Sequence, residues 1–444
     1  MRNHGQWVGA LAVMAGLLVA VGVWQSWSLA LTILNYCLIS SIMALGLNQQ
    51  WGHAGLFNVG VMGFAALGGI AAVLVSLPPV AEAWRAGGMG IAAGLAIFAV
   101  LAAGAWLGMR RLRPGWRRRV LLTLWLVIGF WLARLVLDPA VARVESVNPA
   151  QTGFLGGMGL PIVWSWLVGG CLAAAAAWAI GRITLGLRSD YLAIATLGIS
   201  EIIIAFLKYE EWLTRGVKNV NGLPRPVPYE LDLQKADWVV QWSERLAVTS
   251  QEMAGIAVKL AYAGLSVTVL VVLYALAQAA LNAPWGRMMR AIRDNEAAAE
   301  AMGKDVKRQH LIVFVIGSAI IGLAGAMMTT LDGQFTPTSY NPLRFTFLIW
   351  VMVIVGGSGN NLGSVLGGFL IWFFWVEAEP IGRGVIEWLT AGMGQGDALR
   401  LHLLDSAVYA RPVIMGLVLL LVLRFRPSGI LPEQRIKPLF TRLH

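Results

Sequence analysis

The side chains able to do chemistry are few and scattered along this chain. Gly394-Gln395-Gly396-Asp397 spells a Gly-x-Gly-Asp run associated with paired-aspartate proteolysis inside membranes. That chemistry needs two carboxylates on different spans sharing a proton. Asp397 lies in a polar loop, and the Asp190-Tyr191 neighbours stand in the wrong order at the end of a span. The histidines His4, His53, His310, His402 and His444 are dispersed, and no H-E-x-x-H or C-x-x-C spacing offers a metal site. No G-x-x-x-x-G-K-[ST] phosphate loop is present, so the chain is not expected to bind ATP in that way. Glu201 is the clearest ionisable side chain inside an apolar run. A charge at that depth costs roughly 2.5–3.5 kcal/mol on insertion scales, so Glu201 reads either as a pathway residue or as a structural acid paired with an interior Lys or Arg. Lys259 and Glu252 lie near a span end, where long side chains snorkel. Cys37 and Cys171 both fall in apolar runs, which points to two packed thiols and not a disulfide scaffold. The expectation is a chain that is not an enzyme and holds no metal or cofactor of its own.

The elements that carry these residues are overwhelmingly apolar. Of 444 residues, 58% are hydrophobic and 13% charged, whereas soluble domains carry about 25% charged residues. This is the composition of an all-α polytopic membrane protein. The net charge of +11 is not a nucleic-acid signal. Arg2, the 110–119 loop, Arg182–Asp190, the 287–308 segment and the tail from Arg424 hold 20 of the 34 basic residues and six of the 23 acids. Collected on one side of a bilayer, they are a positive-inside bias. No basic stripe with interleaved aromatics accompanies them. The Arg110–Arg119 loop has six arginines and no acid, and reads as a topology anchor against anionic lipid.

Apolar runs at 6–24, 28–48, 51–76, 89–108, 120–137, 161–180, 191–208, 253–280, 309–330, 345–357, 362–378 and 407–424 give about 10–12 transmembrane helices in a single domain over 1–444. The first is expected to be a retained helix and not a cleaved signal peptide. An even number of spans separates each basic segment from the next, which puts the N-terminus and the 426–444 tail on the cytoplasmic side. The 209–252 segment then falls on the opposite side. Within it, Trp238, Val239, Trp242 and Leu246 have helical spacing, suiting a helix lying on the membrane surface or packed over other spans.

Three apolar runs are rich in glycine and polar groups: Gly46–Gly69, Tyr191–Lys208 and Val355–Gly368. Polar groups and irregular backbone survive at membrane depth where they are buried in protein or line a cavity. Interrupted helices at matching places in two halves point to a transporter's binding site. The first and third runs both set amides beside glycines, which makes an inverted repeat plausible. On this reading the path candidates are Asn48, His53, Asn58, Gly60, Thr196, Glu201, Gly357, Ser358 and Asn360. Close helix packing through small residues is the competing account.

Gly286–Gly303, GRMMRAIRDNEAAAEAMG, is the longest polar helix-forming stretch between two strongly apolar runs. Asn282 and Pro284 suit a helix start, Asp294 or Asn295 a second cap with Glu296 in the first turn, and Gly303 a helix end. The spacing predicts two short helices meeting near Asp294.

This stretch, with Lys307 and the following FVIGSAIIGLAGAMM, resembles the membrane-spanning permease subunits of bacterial branched-chain amino acid ABC importers, of the LivM type. LGLNQQWGHAGLFNVGVMGF, DYLAIATLGISEII with NVNGLP, IWVMVIVGGSGNNLGSVLGG and LRFRPSGIL resemble four further motifs in that family's order. Two departures stand out. Asn58-Val59-Gly60-Val61 replaces a Ser-x-Gly-polar pattern, and the region 77–160, with its arginine loop, is an extra hairpin. The resemblance implies a working assembly in the bacterial inner membrane: a second permease subunit (LivH type), two cytoplasmic ATPase subunits that use ATP, and a periplasmic substrate-binding protein. It also makes 282–308 the coupling segment, with Arg287, Arg290, Ile292, Arg293, Asp294, Glu296 and Gly303 engaging an ATPase groove. Branched-chain amino acids are the expected cargo. Urea or short amides are the alternative within the class, and an ion-coupled secondary transporter dependent on Glu201 is the rival outside it.

Overall fold

A computed structural model of the chain describes residues 2–113, 115–148, 152–394 and 397–433. Gln395 and Gly396 of the Gly-x-Gly-Asp run, and residues 434–444 of the tail, lie outside the described residues. The protein is an all-α, multi-pass membrane protein. Among the described residues ten helices are long and apolar enough to cross a bilayer.

The helices in chain order are α1 (Arg2–Trp24), α2 (Trp27–Asn48), α3 (Val61–Ser76), α4 (Ala81–Arg111), α5 (Trp116–Glu145), α6 (Val163–Thr184) and α7 (Ser189–Tyr209). They continue with α8 (Asp237–Leu246), α9 (Ser250–Asn282), α10 (Pro284–Asp294), α11 (Glu296–Ala301) and α12 (Val306–Asp332). The last are α13 (Pro342–Gly356), α14 (Asn361–Leu389) and α15 (Ala398–Phe425). Two-residue strands, β1 (Val220–Asn221) and β2 (Gln334–Phe335), pair antiparallel and pin the 209–252 segment to the end of α12.

The core is a bundle of α2, α3, α6 and α12, flanked by α13 and α14. Lipid offers no hydrophobic drive between helices, so close contact comes from small residues. A Cβ at Gly68 of α3 would stand 1.7 Å from the Gly322 carbonyl oxygen of α12, and one at Gly367 of α14 would stand 1.9 Å from the Met352 oxygen of α13. Only glycine permits those backbones to touch. Packing through small residues thus accounts for part of the glycine content, alongside the helix breaks.

Two of the twelve apolar runs become short helices. α3 and α13 have 16 and 15 residues, about 24 and 22 Å long, against a hydrocarbon core of about 30 Å. The run 51–76 is not one helix. Gln49–His53 forms a π-helical turn, residues 55–60 are non-helical, and α3 starts at Val61. The third glycine-rich run breaks at Gly357–Asn360, where Gly357 and Gly359 have φ of 119° and 80°. The second does not break: Tyr191–Lys208 lies inside continuous α7, because its single interior glycine, Gly198, neither kinks the backbone nor has a neighbour within 4 Å.

The extra region is a self-contained hairpin. α4 and α5 pack along each other and meet the rest of the chain at their base through Ala83, Ile91, Ala140, Val144 and Trp212. On α8 only Val239 of the apolar stripe is packed away; Trp238, Trp242 and Leu246 face outward. Cys37 is buried, but Cys171 is exposed, since α6 turns that face away from the bundle.

Candidate functional site

The π-helical turn after α2 is the place where the candidate residues converge. A wider turn leaves backbone groups without regular helix partners, and here side-chain amides fill the space. Asn361, first residue of α14, is the hub. Its Oδ1 accepts from Asn48 Nδ2 at 3.1 Å and from Gln49 Nε2 at 3.0 Å, and lies 3.1 Å from His53 Nε2. With its proton on Nε2, His53 donates to Asn361; with it on Nδ1, Nε2 instead accepts from Asn48 Nδ2 at 3.3 Å. Asn361 Nδ2 donates to Gln278 Oε1 of α9 at 3.4 Å. Asn48 Oδ1 accepts from the Gly359 N–H at 2.9 Å, so the two helix breaks are hydrogen-bonded to each other.

A second group extends from the same turn. Gln50 Nε2 donates to the Phe314 carbonyl at 2.9 Å and to Ser318 Oγ at 3.0 Å on α12, while Gln50 Oε1 accepts from Asn58 Nδ2 at 2.8 Å. Asn58 Oδ1 accepts from the Gly60 N–H at 2.8 Å, and the Asn58 carbonyl accepts from Trp350 Nε1 at 3.0 Å. Thr196 Oγ1 of α7 accepts from the Val59 N–H at 3.0 Å. A Cβ at Gly60 would lie 2.6 Å from the Thr196 carbonyl oxygen, so glycine is required for α7 to approach.

The polar stretch seats on this assembly. Pro284 occupies the first turn of α10, where its missing N–H is harmless. Asn295 caps α11 by accepting from the Ala298 N–H at 3.0 Å, and Gly303 takes φ 77° past its end. The two helices do meet beside Asp294, and Asn295 is the cap. Met289 and Ile292 are buried in the main core, and Trp285 Nε1 donates to Gln309 Oε1 of α12 at 3.1 Å. Arg293 Nη1 donates to the Gly52 carbonyl in the π-helical turn, and its Nη2 meets Glu433 Oε2 at 2.9 Å. The tail reaches Arg293 by crossing the second break: Ile430 and Leu431 N–H donate to Val355 and Gly356 carbonyls at 2.9 Å, and Asn360 Nδ2 donates to the Pro432 carbonyl at 3.1 Å.

The path candidates are therefore split. Asn48, His53, Asn58, Gly60, Thr196 and Gly357 are buried, and their polar groups largely occupy one another. They brace two helix breaks and do not line an open surface, because neutral amides satisfy freed backbone and each other. Ser358 is exposed, and Asn360 caps α14 by accepting from the Leu362 and Gly363 N–H groups. Glu201 stands apart, exposed on the outer face of α7, and is not the interior ion pair envisaged as one of its two readings. Of the coupling candidates, Ile292 is corrected: at 1% exposure it fastens α10 to this chain and has no surface for a partner. Arg287, Asp294, Glu296 and Gly303 are exposed, and Arg290 and Arg293 half-buried. Asn361, Gln49, Gln50, Gln278 and Glu433 were not among the candidates. The doubled amides Gln49-Gln50 and Asn360-Asn361 were the signal for three of these positions; Gln278 stands alone in an apolar run, and Glu433, 140 residues from Arg293, carried none. Among the described residues no grouping of His, Cys, Asp or Glu fits a metal ion.

The family model described as "Branched-chain amino acid transport system / permease component" matches residues 150–423. The chain is 27% identical over 255 residues to the probable branched-chain amino acid transport permease protein LivM of Methanocaldococcus jannaschii, covering 57% of this chain and 63% of that one. It is 27% identical over 278 residues to the high-affinity LivM permease protein of Escherichia coli K12, covering 61% and 58%. To the LivH permease protein of the same organism it is 23% identical over 286 residues, covering 63% and 79%. The match spans less than two thirds of the length of either LivM relative. No solved structure matches the chain at a significant level.

Proposed function

The chain belongs to the branched-chain amino acid transport permease family, and from that membership we propose that it is a membrane-spanning permease subunit of an ATP-driven importer of leucine-, isoleucine- and valine-type amino acids. It works with a second permease of LivH type, two cytoplasmic ATPases and a periplasmic binding protein. Its place is the inner membrane, with both termini and α10–α11 on the cytoplasmic side. The even-span argument requires α3 and α13 to complete their crossings with the non-helical residues beside them. The chain itself performs no ATP chemistry.

One observation carries the mechanical part: Arg293 ties α10 at once to Gly52 in the first helix break and to Glu433 of the tail lapped over the second. A push on the exposed charged face of α10–α11 is thereby delivered to both breaks, the points where α2 and α14 can change direction. Rigid elements with two arrangements are what alternating access needs. The outward residues Arg287, Asp294 and Glu296 offer the ATPase contact, while Met289 and Ile292 are the anchor on the permease side.

The substrate is tested by uptake of labelled leucine and labelled urea in a strain lacking this subunit and any redundant importer. Loss of leucine uptake, restored by the gene, is expected. Unchanged leucine uptake with lost urea uptake would assign the alternative cargo.

A further inference from the structure

A cleft of about 650 Å³ opens between the end of α1 and the second half of α14, far from the amide cluster. Its walls are apolar, formed by Val21, Trp24, Phe373, Ile381, Val385 and Trp388. One ionisable side chain lies in it. Glu377 is 4% exposed, and its Oε2 accepts from Gln25 Nε2 at 2.7 Å. Its other oxygen, Oε1, is buried and meets no donor among the described residues. The turn below already has its own ion pair, Glu379 with Arg411 at 2.8 Å. Pro380, also in the wall, supplies no N–H to the carbonyl one turn back. A buried carboxylate with a free oxygen needs a cation or a strong donor.

Depth narrows the ligand. Glu377 is sixteen residues along α14 from Asn361, about 24 Å at 1.5 Å per residue, and the hydrocarbon core is about 30 Å thick. Trp24 and Trp388, 91% and 76% exposed, flank the cleft as interfacial tryptophans do. A carboxylate at headgroup depth, above an apolar wall open to the lipid side, fits a cationic head on acyl chains. We propose that this cleft binds an aminophospholipid, its primary ammonium hydrogen-bonded to Glu377 and its chains lying along Val21 and Phe373. A choline head has no N–H to donate, and a glycerol head brings no cation, so the site separates three headgroups on one set of chains.

The test is native mass spectrometry of the full-length chain with phosphatidylethanolamine, phosphatidylcholine and phosphatidylglycerol of identical acyl chains. The wild type is expected to retain the ethanolamine lipid about tenfold better than either other, the worth of one charge-assisted hydrogen bond. Glu377→Gln, folded by helix content and thermal unfolding, is expected to lose that preference. Ala20→Trp leaves the carboxylate and fills the wall on the membrane side of Gln25, so it is expected to lower retention of the ethanolamine lipid, and it carries the test if Glu377→Gln does not fold. Equal retention of the three lipids by the wild type overturns the proposal. So does an undiminished preference in folded Glu377→Gln, unchanged retention in Ala20→Trp, or displacement of the lipid by soluble isopentylamine at equal concentration, which would make the occupant a free amine.

Discussion

Asn361 gathers Asn48, Gln49 and His53 around one carbonyl oxygen. Removing that acceptor strands several buried groups at once, and each unsatisfied group costs about 1–3 kcal/mol. Asn360, one residue earlier, caps α14 and donates to the Pro432 carbonyl, two exposed or half-buried contacts worth about 1 kcal/mol each. Thermal unfolding in detergent should therefore show Asn361→Ala destabilised by about 3 kcal/mol or more, beyond Asn360→Ala by a clear margin. Equal shifts for the two would remove Asn361 from its central place. Glu201 has the opposite prospect. It is exposed on α7, and surface substitutions fall within about 0.5 kcal/mol. Glu201→Gln should leave the isolated chain's unfolding unchanged; a destabilised isolated chain would mean that the acid serves this fold alone. At this scale the sequence announced that amides at the breaks mattered but not their purpose. Asn48 and Asn58 read as path-lining because polar groups at depth have two explanations, and only geometry shows that their partners are each other.

On the proposed mechanism α10 is the part of the segment that transmits, because it is held by two kinds of contact: Met289 and Ile292 in the core, and Arg293 on Gly52 and Glu433, with Ala299 of α11 packed in the same core. Arg293→Ala cuts α10 from both breaks and should lower substrate-stimulated ATP hydrolysis in the reconstituted importer several-fold, with ATPase attachment retained. Arg287→Ala, on the exposed face, should instead weaken attachment. Glu433→Gln should reproduce part of the Arg293→Ala loss, and the double variant should lose less than the two losses added, as for residues in one network. Strict additivity of the two would show that the Arg293–Glu433 pair does not transmit. The two short helices were legible before the structure: Pro284, Asn295 and Gly303 are local punctuation that acts through backbone preference alone. The breaks were less so. Gly357 and Gly359 adopt positive φ, yet Gly198 sits in an unbroken helix, and nothing in a run of apolar residues and glycines tells a close contact from a turn. The lapping of the tail over Gly356–Asn360 is a long-range contact with no local trace.

The whole molecule divides into a knitted bundle and an appended hairpin, and the division fixes what can be removed. The family match begins at residue 150, after α5, and α4–α5 touch the bundle only near their base. The chain leaves and returns at one point: Pro79 and Gly156 form an isolated antiparallel bridge, the Val80 N–H donates to the Leu155 carbonyl at 3.1 Å, and the Leu155 N–H donates to the Trp212 carbonyl at 3.0 Å. Val80 and Leu155 are already adjacent, so a short linker from Val80 to Ser146, with residues 146–155 retained, closes the gap without moving α3 or α6. Two helices are lost together, an even number of crossings, so the basic segments stay on one side of the bilayer. Loss of the six-arginine tip removes an anchor, but 14 of the basic residues counted on that side remain. Replacing residues 81–145 with a Gly-Ser linker should therefore leave a folded bundle. Its unfolding midpoint should fall only by what the base contacts supply, chiefly Trp212 losing its cover from Ala140 and Val144, about 1–3 kcal/mol. Leucine uptake by the assembled importer should persist within about twofold, a change in barrier under 1 kcal/mol. A bundle that fails to insert or unfolds far below the parent would show that the hairpin is part of the core. A stable bundle without transport would make the hairpin a working part of the importer.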